Sequence, residues 1–400
     1  MVIDPNRNKE AYLRWRHATD GLIGGANTES ARLLRQFLDD MEAGRNVGRG
    51  ARKGGRGYAR LNTLRHRLAM LARVLDERYA VSRVATVSEE QIHALFRDMR
   101  NGGITTQRGD TYRSTGDYVN AFRTFWHWHM RVQRKFGVVV DDICVDLDDS
   151  TEKPPWVYLT EEDVRTLCDH AKHEYRVLLG FLFDTGIRSP TELVNVRVED
   201  LLEGATKLRI REATSKTFGR TINLMRCPDL LRAHIKEKRL VPGDQLFQIS
   251  PPVVNRYLRR LAARVLGDGR TLGGARYSEL TMYDFRHSSA CYWLPRYKSE
   301  NALKYRFGWK RSEMIHYYTQ FLGMQDTITE EDLCTAPERS AIEQRLMQTE
   351  QEKRLLAEQV ASLQGEMQQI LAVVQQLTKK VGQRLEHAAS ETYPMDRASE

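Results

Sequence analysis

Apolar residues recur at helical spacing along most of the chain. Leu33, Leu34, Phe37, Leu38 and Met41 form one such stripe within residues 1 to about 43, with Asn27 and Thr28 ahead of it as caps. The same period returns in LNTLRHRLAMLARVLDERY, VSEEQIHALFRDMR and YRSTGDYVNAFRTFWHWHMRVQRKF, where Ser88 and Gln91 have the spacing of a capping box. Trp126 and Trp128 read as anchors of this helical core rather than as rings for stacking on bases. The acidic, proline-bearing DDICVDLDDSTEKPPW then reads as a linker. A second series starts with Thr160 and Asp163 as caps and continues through EYRVLLGFLFDTG and a short helix over TELVNV. Only ATKLRIREAT and RTINLM have strand character; SKTFG between them puts Lys216 near a hairpin tip. Helical segments such as PPVVNRYLRRLAARVL, ELTMYDFRHSSACYWL and ENALKYRFGW follow. The pattern predicts a mainly α fold with a small β-hairpin or sheet, of the α+β class. Beyond residue 335, Leu356, Val360, Leu363, Met367, Ile370, Val374, Leu377 and Val381 step by four and three like a coiled-coil seam. The alternative is one amphipathic helix packed on its own domain.

Length and charge sharpen this picture. A chain of 400 residues exceeds one ordinary core, so two globular units with extensions are expected. Lys and Arg number 62 against 53 Asp and Glu, a net charge of +9 that favours a polyanionic partner. Arg45, Arg49, Arg52, Lys53, Arg56 and Arg60 share a glycine-rich stretch without an acid: either a solvated linker or a basic arm ordered by phosphates. Arg123, His127, Arg131, Arg134 and Lys135 give another helix a basic side. From these groups Arg45, Arg49, Arg52, Lys53, Arg56, Arg123 and Arg131 are the candidate DNA contacts. The five cysteines, Cys144, Cys168, Cys227, Cys291 and Cys334, are scattered and odd in number, which argues for a reducing compartment and against a disulfide framework or structural zinc site. The start lacks the apolar core of a signal peptide and no apolar run is long enough to span a bilayer, so a soluble, cytoplasmic protein without a membrane partner is expected.

The candidate chemistry lies in five scattered places: Arg188 in TGIRSPTEL, Lys216 in TSKTFGRTINL, Arg286 in YDFRHSSACYWL, Trp309 in FGWKRSEM and Tyr318 in IHYYTQF. A tyrosine can attack a phosphodiester and hold it as a phosphotyrosine while cations neutralise charge on the phosphorane oxygens. Such a set needs neither metal nor other cofactor. Each residue alone has an ordinary structural reading, and only their order and spacing give them weight.

Together these residues resemble the tyrosine recombinases, the phage-integrase family, over roughly residues 28 to 322. Arg188 follows TGI as the family's first arginine does, though one extra residue separates it from Glu192, which is left as a supporting residue. Lys216 fits the hairpin lysine. YDFRHSSA supplies Arg286 and His287 where the family reads H-x-x-R-H, with Tyr283 replacing the first His; a phenol can donate a hydrogen bond but cannot shuttle protons near neutrality. Trp309 and Tyr318 follow at intervals that agree with the family, and Tyr318, followed by Thr319 and Gln320, is favoured over its neighbour Tyr317. KYRFGWKRSEMIHYYTQ and ESARLLRQFLDDME are most similar to archaeal-type integrases.

The resemblance implies a two-domain DNA clamp, to which the heptad pattern adds a C-terminal coiled coil. Its parts are a helical segment and basic linker over 1–57, a helical, SAM-like core-binding domain over 58–140, a catalytic domain over 156–333 and a coiled-coil tail over 335–390. It implies attack by Tyr318 to give a 3′-phosphotyrosine, with Arg188 and Arg286 on the nonbridging oxygens. Lys216 would be the acid for the leaving 5′-oxygen, and Trp309 would lie against the scissile phosphate. It further implies site-specific recombination of double-stranded DNA by four protomers through a Holliday junction, for integration, excision or resolution of a mobile element at the nucleoid. The tail would pair with itself or with an accessory protein. A type IB topoisomerase or telomere resolvase, and a non-catalytic DNA-binding protein, are the alternatives.

Overall fold

The computed structural model describes residues 2–18, 23, 26–48, 53–297 and 299–323, with 349, 353, 356, 360, 363, 364 and 367 beyond them. Met1–Gly323 form one compact unit. Its first part is helical: α1 (Asn8–Ala18), α2 (Thr28–Ala43), α3 (Tyr58–Tyr79), α4 (Glu89–Arg100) and α5 (Thr115–Lys135). The starts of α2 and α4 are those the sequence marks. Asn27 Oδ1 accepts from the Ser30 amide at 2.9 Å, and Ser88 and Gln91 form a reciprocal capping box. One apolar core draws on Tyr12, Leu34, Phe37 and Met41 as well as Leu64, Leu68, Phe122 and Trp128. Trp126 and Trp128 are buried in it, and each indole N–H is satisfied, by Asp141 O at 2.9 Å and Asp40 Oδ2 at 2.9 Å respectively.

The second part holds α6 (Glu161–His170), α7 (His173–Thr185), the strands β1 (Leu201–Leu202), β2 (Lys207–Ile210) and β3 (Arg220–Asn223), then α8 (Pro228–Lys238), α9 (Pro251–Val265), α10 (Asp284–Trp293), α11 (Glu300–Phe307) and α12 (Glu313–Phe321). The fold is therefore α+β, with a three-stranded antiparallel sheet in the order β1-β2-β3. Thr160 caps α6 with Asp163 as expected. The helix expected over TELVNV is reduced to a single 3-10 turn at Leu193–Asn195. The chain leaves that turn because Val196 is drawn into extended pairing: its carbonyl accepts from the Leu246 amide at 2.9 Å, beside an Arg197–Gln245 bridge.

Asp184, buried near the end of α7, ties the second core together. Its Oδ2 accepts the amides of Met225, Arg226 and Cys227 ahead of α8, and its Oδ1 pairs with the buried Arg306 at 3.1 Å. A separate aromatic cluster gathers Trp156, Trp293, Phe307, Trp309 and Tyr318. Near the N-terminus, Ile3 and Asn195 exchange two hydrogen bonds of 2.7 and 2.8 Å. Among the described residues no helix is long and apolar enough to cross a membrane. Beyond residue 323, Leu356, Val360, Leu363 and Met367 are helical and exposed; Ile370, Val374, Leu377 and Val381 of the predicted seam lie outside the described residues.

Candidate active site

The last carbonyls of a helix have no partner inside it and carry the negative end of its dipole, so cations gather there. At the C-terminus of α11 three consecutive carbonyls each take a different guanidinium. Arg306 O accepts from Arg220 Nε at 2.9 Å, Phe307 O from Arg286 Nη2 at 2.6 Å, and Gly308 O from Arg188 Nη2 at 2.7 Å. Gly308 caps the helix at φ +63°, and a Cβ there would lie 2.9 Å from Arg220 Nη1 and 3.1 Å from Arg188 Nη1. Glycine thus lets the backbone approach both arginines.

Glu192 binds two of these cations. Its carboxylate pairs with Arg188 Nη1 at 2.7 Å and with Arg220 Nη2 at 2.8 Å, with no side-chain surface exposed. Burial alone would raise its pKa, but the hydrogen bonds and charges of Arg220 and Arg188 outweigh burial and hold it at about 2. Despite the extra residue in the motif, Glu192 also accepts the Arg188 amide at 3.2 Å. Arg286 is buried and its second arm donates to Gly186 O at 2.6 Å. Burial, then the nearby Arg188 charge, push its pKa down.

Lys216 is exposed in the loop between β2 and β3. Its neighbours fasten that loop to the arginine cluster: Ser215 Oγ donates to Glu192 Oε1 at 3.0 Å and Thr217 Oγ1 to Gly308 O at 2.9 Å. The loop is therefore anchored on both sides of a lysine whose own head faces solvent.

Tyr318, on α12, is 2% exposed. Its ring stacks on Trp309 with centroids 5.7 Å apart, and Trp309 stacks in turn on Phe307 at 4.7 Å. Its hydroxyl lies 2.6 Å from His287 Nδ1. Burial raises the phenol pKa well above its ordinary value. Burial and the adjacent Arg286 charge lower that of His287 to about 4, which keeps the imidazole neutral at pH 7. Tyr283 is half exposed, and its ring meets His287 edge-on at 5.2 Å. The Tyr317 hydroxyl instead accepts from Trp156 Nε1 of the linker at 2.7 Å.

Arg188, Arg286 and Tyr318 thus come together around Phe307, Gly308 and the predicted Trp309, with Lys216 on an anchored loop and Tyr283 at the rim. Arg220 and Trp156 carried no signal in their local sequence, because their partners are remote along the chain. His287 was visible only as part of the R-H pair.

The candidate DNA contacts are more dispersed. Arg49 and Arg52 lie outside the described residues. Lys53, Arg131, Arg134 and Lys135 line an open cleft of about 710 Å³ between the end of α5 and the loop after α2. Arg131 Nε is anchored on Asn46 O at 2.9 Å. Arg45 pairs with Asp40 at 3.0 Å and Arg123 with Asp149 at 2.9 Å, so both guanidiniums have internal partners. The Arg56 amide donates to Met41 O at 2.8 Å and holds its loop against the end of α2. A further basic stripe was not singled out from sequence: Arg256, Arg259, Arg260 and Arg264 are exposed on α9, a helix without an acidic residue.

No protein-family model matches the sequence, and no curated relative does. Solved structures do match. A lambda integrase dimer bound to a COC′ core site aligns with a TM-score of 0.53 at 14% identity, covering 80% of this chain and 89% of that one. The Tn1549 transposon integrase in complex with transposon right end DNA aligns at 0.50 and 14%, covering 79% and 99%. XerH site-specific recombinase bound to a palindromic difH substrate, a post-cleavage complex, aligns at 0.50 and 15%, covering 78% and 90%. With its helical first part, its three-stranded sheet and its arginines gathered on one helix end, the chain has the tyrosine recombinase fold.

Proposed function

We propose that this protein is a site-specific DNA recombinase that cuts and rejoins strands through a 3′-phosphotyrosine on Tyr318. The observation that carries the reading is the α11 terminus, where adjacent carbonyls hold Arg286 and Arg188 side by side and the next residue, Trp309, stacks on Tyr318. A phosphodiester entering there would meet two permanently charged, planar donors for its nonbridging oxygens beside a phenol oxygen able to attack phosphorus. Arg220 and Glu192 would hold Arg188 in orientation. Lys216 would reach the leaving 5′-oxygen from its loop, and Tyr283 would donate a hydrogen bond at the rim. Neither metal nor other cofactor enters these steps.

The basic linker within 1–57 would grip the duplex through Arg45, Arg49, Arg52, Lys53 and Arg56, and the helical domain over 58–140 through Arg123, Arg131 and their neighbours. The catalytic domain over 156–333 would grip the other side, and the exposed α9 arginines add to its basic surface. Pairwise strand exchange by four protomers would pass through a Holliday junction, and the tail over 335–390 would join protomers or an accessory protein. The action is on DNA at the nucleoid, in the movement or resolution of a DNA element.

The test is to incubate the full-length protein with fragmented genomic DNA, denature, and sequence any DNA still attached. Attachment at a recurring sequence, dependent on Tyr318, is expected. Sequence-independent attachment with relaxation of supercoils and no junctions would favour a topoisomerase, and DNA binding with no adduct would favour a non-catalytic protein.

A further inference from the structure

The position where the family resemblance expects a proton-handling histidine holds Tyr283, and the imidazole nearest the attacking atom stands one helical turn further on. Building on the strand-transfer reading above, we propose that His287 is a catalytic residue that accepts the phenolic proton of Tyr318 through Nδ1 as the phenol oxygen attacks phosphorus. Nδ1 and Oη are 2.6 Å apart, within the reach a general base needs. The imidazole is held in that orientation from two sides. Trp156 stacks on it at 4.8 Å, 29° from parallel, and Tyr283 meets it edge-on at 5.2 Å. Both rings limit its rotation, so Nδ1 stays directed at Oη.

Protonation states fit the task. The phenol keeps its proton at neutral pH because it is buried, so attack requires somewhere for that proton to go. The other groups acting on the phenol are Arg286 and Cys291 from α10, Tyr283 just ahead of it and Tyr317 from α12, a guanidinium, a thiol and two phenols, whereas His287 offers a ring nitrogen. The neutral imidazole can accept. Burial, and after it the Arg286 charge, disfavour a charged imidazolium. The negative charge of an entering phosphodiester opposes that effect and makes His287 a stronger base when substrate is bound.

In the step itself the Oη–P bond forms, the Oη proton passes to Nδ1, and the P–O5′ bond breaks. The departing 5′-oxygen takes a proton from the acid, for which Lys216 is the candidate. On rejoining, the 5′-hydroxyl attacks phosphorus and returns its proton to the deprotonated acid, the Oη–P bond breaks, and the imidazolium returns its proton to the departing phenolate. Protons balance over the cycle without an outside base.

The test uses the full-length protein and a suicide duplex built from the sequence recovered on trapped protein, with single-turnover cleavage as readout. His287→Ala is expected to cleave ~10²-fold or more slowly at pH 7, to recover in part with added imidazole, and to speed up with rising pH where the wild type is flat. His287→Asn separates chemistry from positioning, because its amide can hydrogen-bond to Oη but cannot carry the proton; it is expected to be slow as well. Cleavage by His287→Asn within a few-fold of wild type, with the wild-type pH profile, would overturn the proposal while leaving the strand-transfer reading intact. Absence of any adduct with the wild-type protein would overturn both.

Discussion

Trp156 Nε1 donates a hydrogen bond to Tyr317 Oη at 2.7 Å, and the same indole stacks on His287 and meets Tyr318 edge-on at 6.4 Å. One linker residue therefore touches both adjacent tyrosines in different ways. The Tyr317 hydroxyl is bound to the linker, with Lys153 Nζ 3.8 Å from its ring centroid, whereas the Tyr318 hydroxyl is bound to the helix that carries Arg286.

That division predicts unequal effects of removing each hydroxyl. Tyr318→Phe is expected to abolish the covalent adduct while leaving DNA affinity nearly unchanged, since one phenol contributes little to an electrostatic grip. Tyr317→Phe should keep the adduct and lose about 1 kcal/mol of stability from the missing hydrogen bond. Adduct trapping and urea melts on both variants check this. An adduct that survives in Tyr318→Phe and vanishes in Tyr317→Phe would transfer the nucleophile to Tyr317.

Arg188→Ala and Arg286→Ala should each slow cleavage by ~10²-fold or more, the usual cost of removing one preorganised donor from a developing oxyanion. Lysine at either position should rescue poorly. Each guanidinium holds a helix-end carbonyl with one arm and a second protein group with the other, Glu192 for Arg188 and Gly186 O for Arg286, and so is fixed in a plane with further N–H groups left for a phosphate, a geometry an ammonium cannot copy. Near-wild-type single-turnover rates in either alanine variant would remove that arginine from the mechanism.

Glu192 makes acid stability a second probe of the same network. Its folded-state pKa, about 2, lies below the ordinary 4.5, so its contribution is fully present above about pH 4.5 and is lost as pH falls towards 2. The difference corresponds to roughly 3 kcal/mol. Glu192→Gln should therefore flatten the loss of stability over that window. At pH 7 it should cost about 3–5 kcal/mol by leaving buried guanidiniums without their counter-charge. Denaturant melts between pH 3 and 7 measure both, and an unchanged acid limb in the variant would show that Glu192 does not hold the cluster.

Why some of this was legible in the sequence and some was not follows from the range of each interaction. The caps at Ser88 and Thr160 are local strings whose donors and acceptors sit three residues apart. Arg188, Arg286 and Tyr318 are embedded in short motifs, so each carries its own context. Arg220 has none: in sequence it is an ordinary strand arginine, and only folding brings it to Glu192 and to the Arg306 carbonyl. The role of α11 was hidden for the same reason, because a helix end that gathers three guanidiniums looks like any other glycine-capped terminus. Trp156 read as part of a linker, since nothing near it in sequence indicates the aromatic cluster it joins. The TELVNV segment misled because its helical spacing is local, while the Val196–Leu246 pairing that ends the turn is not.

Lys216 sits between two anchored neighbours, which allows its head to move while its backbone stays near the arginines. Lys216→Ala should slow cleavage strongly on an ordinary duplex, but much less on one whose 5′-bridging oxygen is sulfur, a leaving group that needs little protonation. Paired rates on the two substrates decide the matter. Equal slowing would mean that Lys216 binds the phosphate and another group is the acid.

The tail should separate cutting from pairing. Leu356, Val360, Leu363 and Met367 are helical and exposed, and an apolar seam of that spacing gains burial by meeting another helix. The groups proposed for cleavage all lie before residue 324, so truncation after residue 335 should leave suicide-substrate cleavage within a few-fold of wild type. Recombination between two sites should fall much further. Joining protomers through their tails raises the effective concentration of the second once the first is on DNA, and that advantage disappears with the tail. Measuring both reactions side by side, with sedimentation of the intact and truncated proteins, gives the answer. Equal loss of both activities would make the tail part of the catalytic fold. Preserved recombination together with an unchanged oligomeric state would remove self-pairing and leave the seam to a different helix.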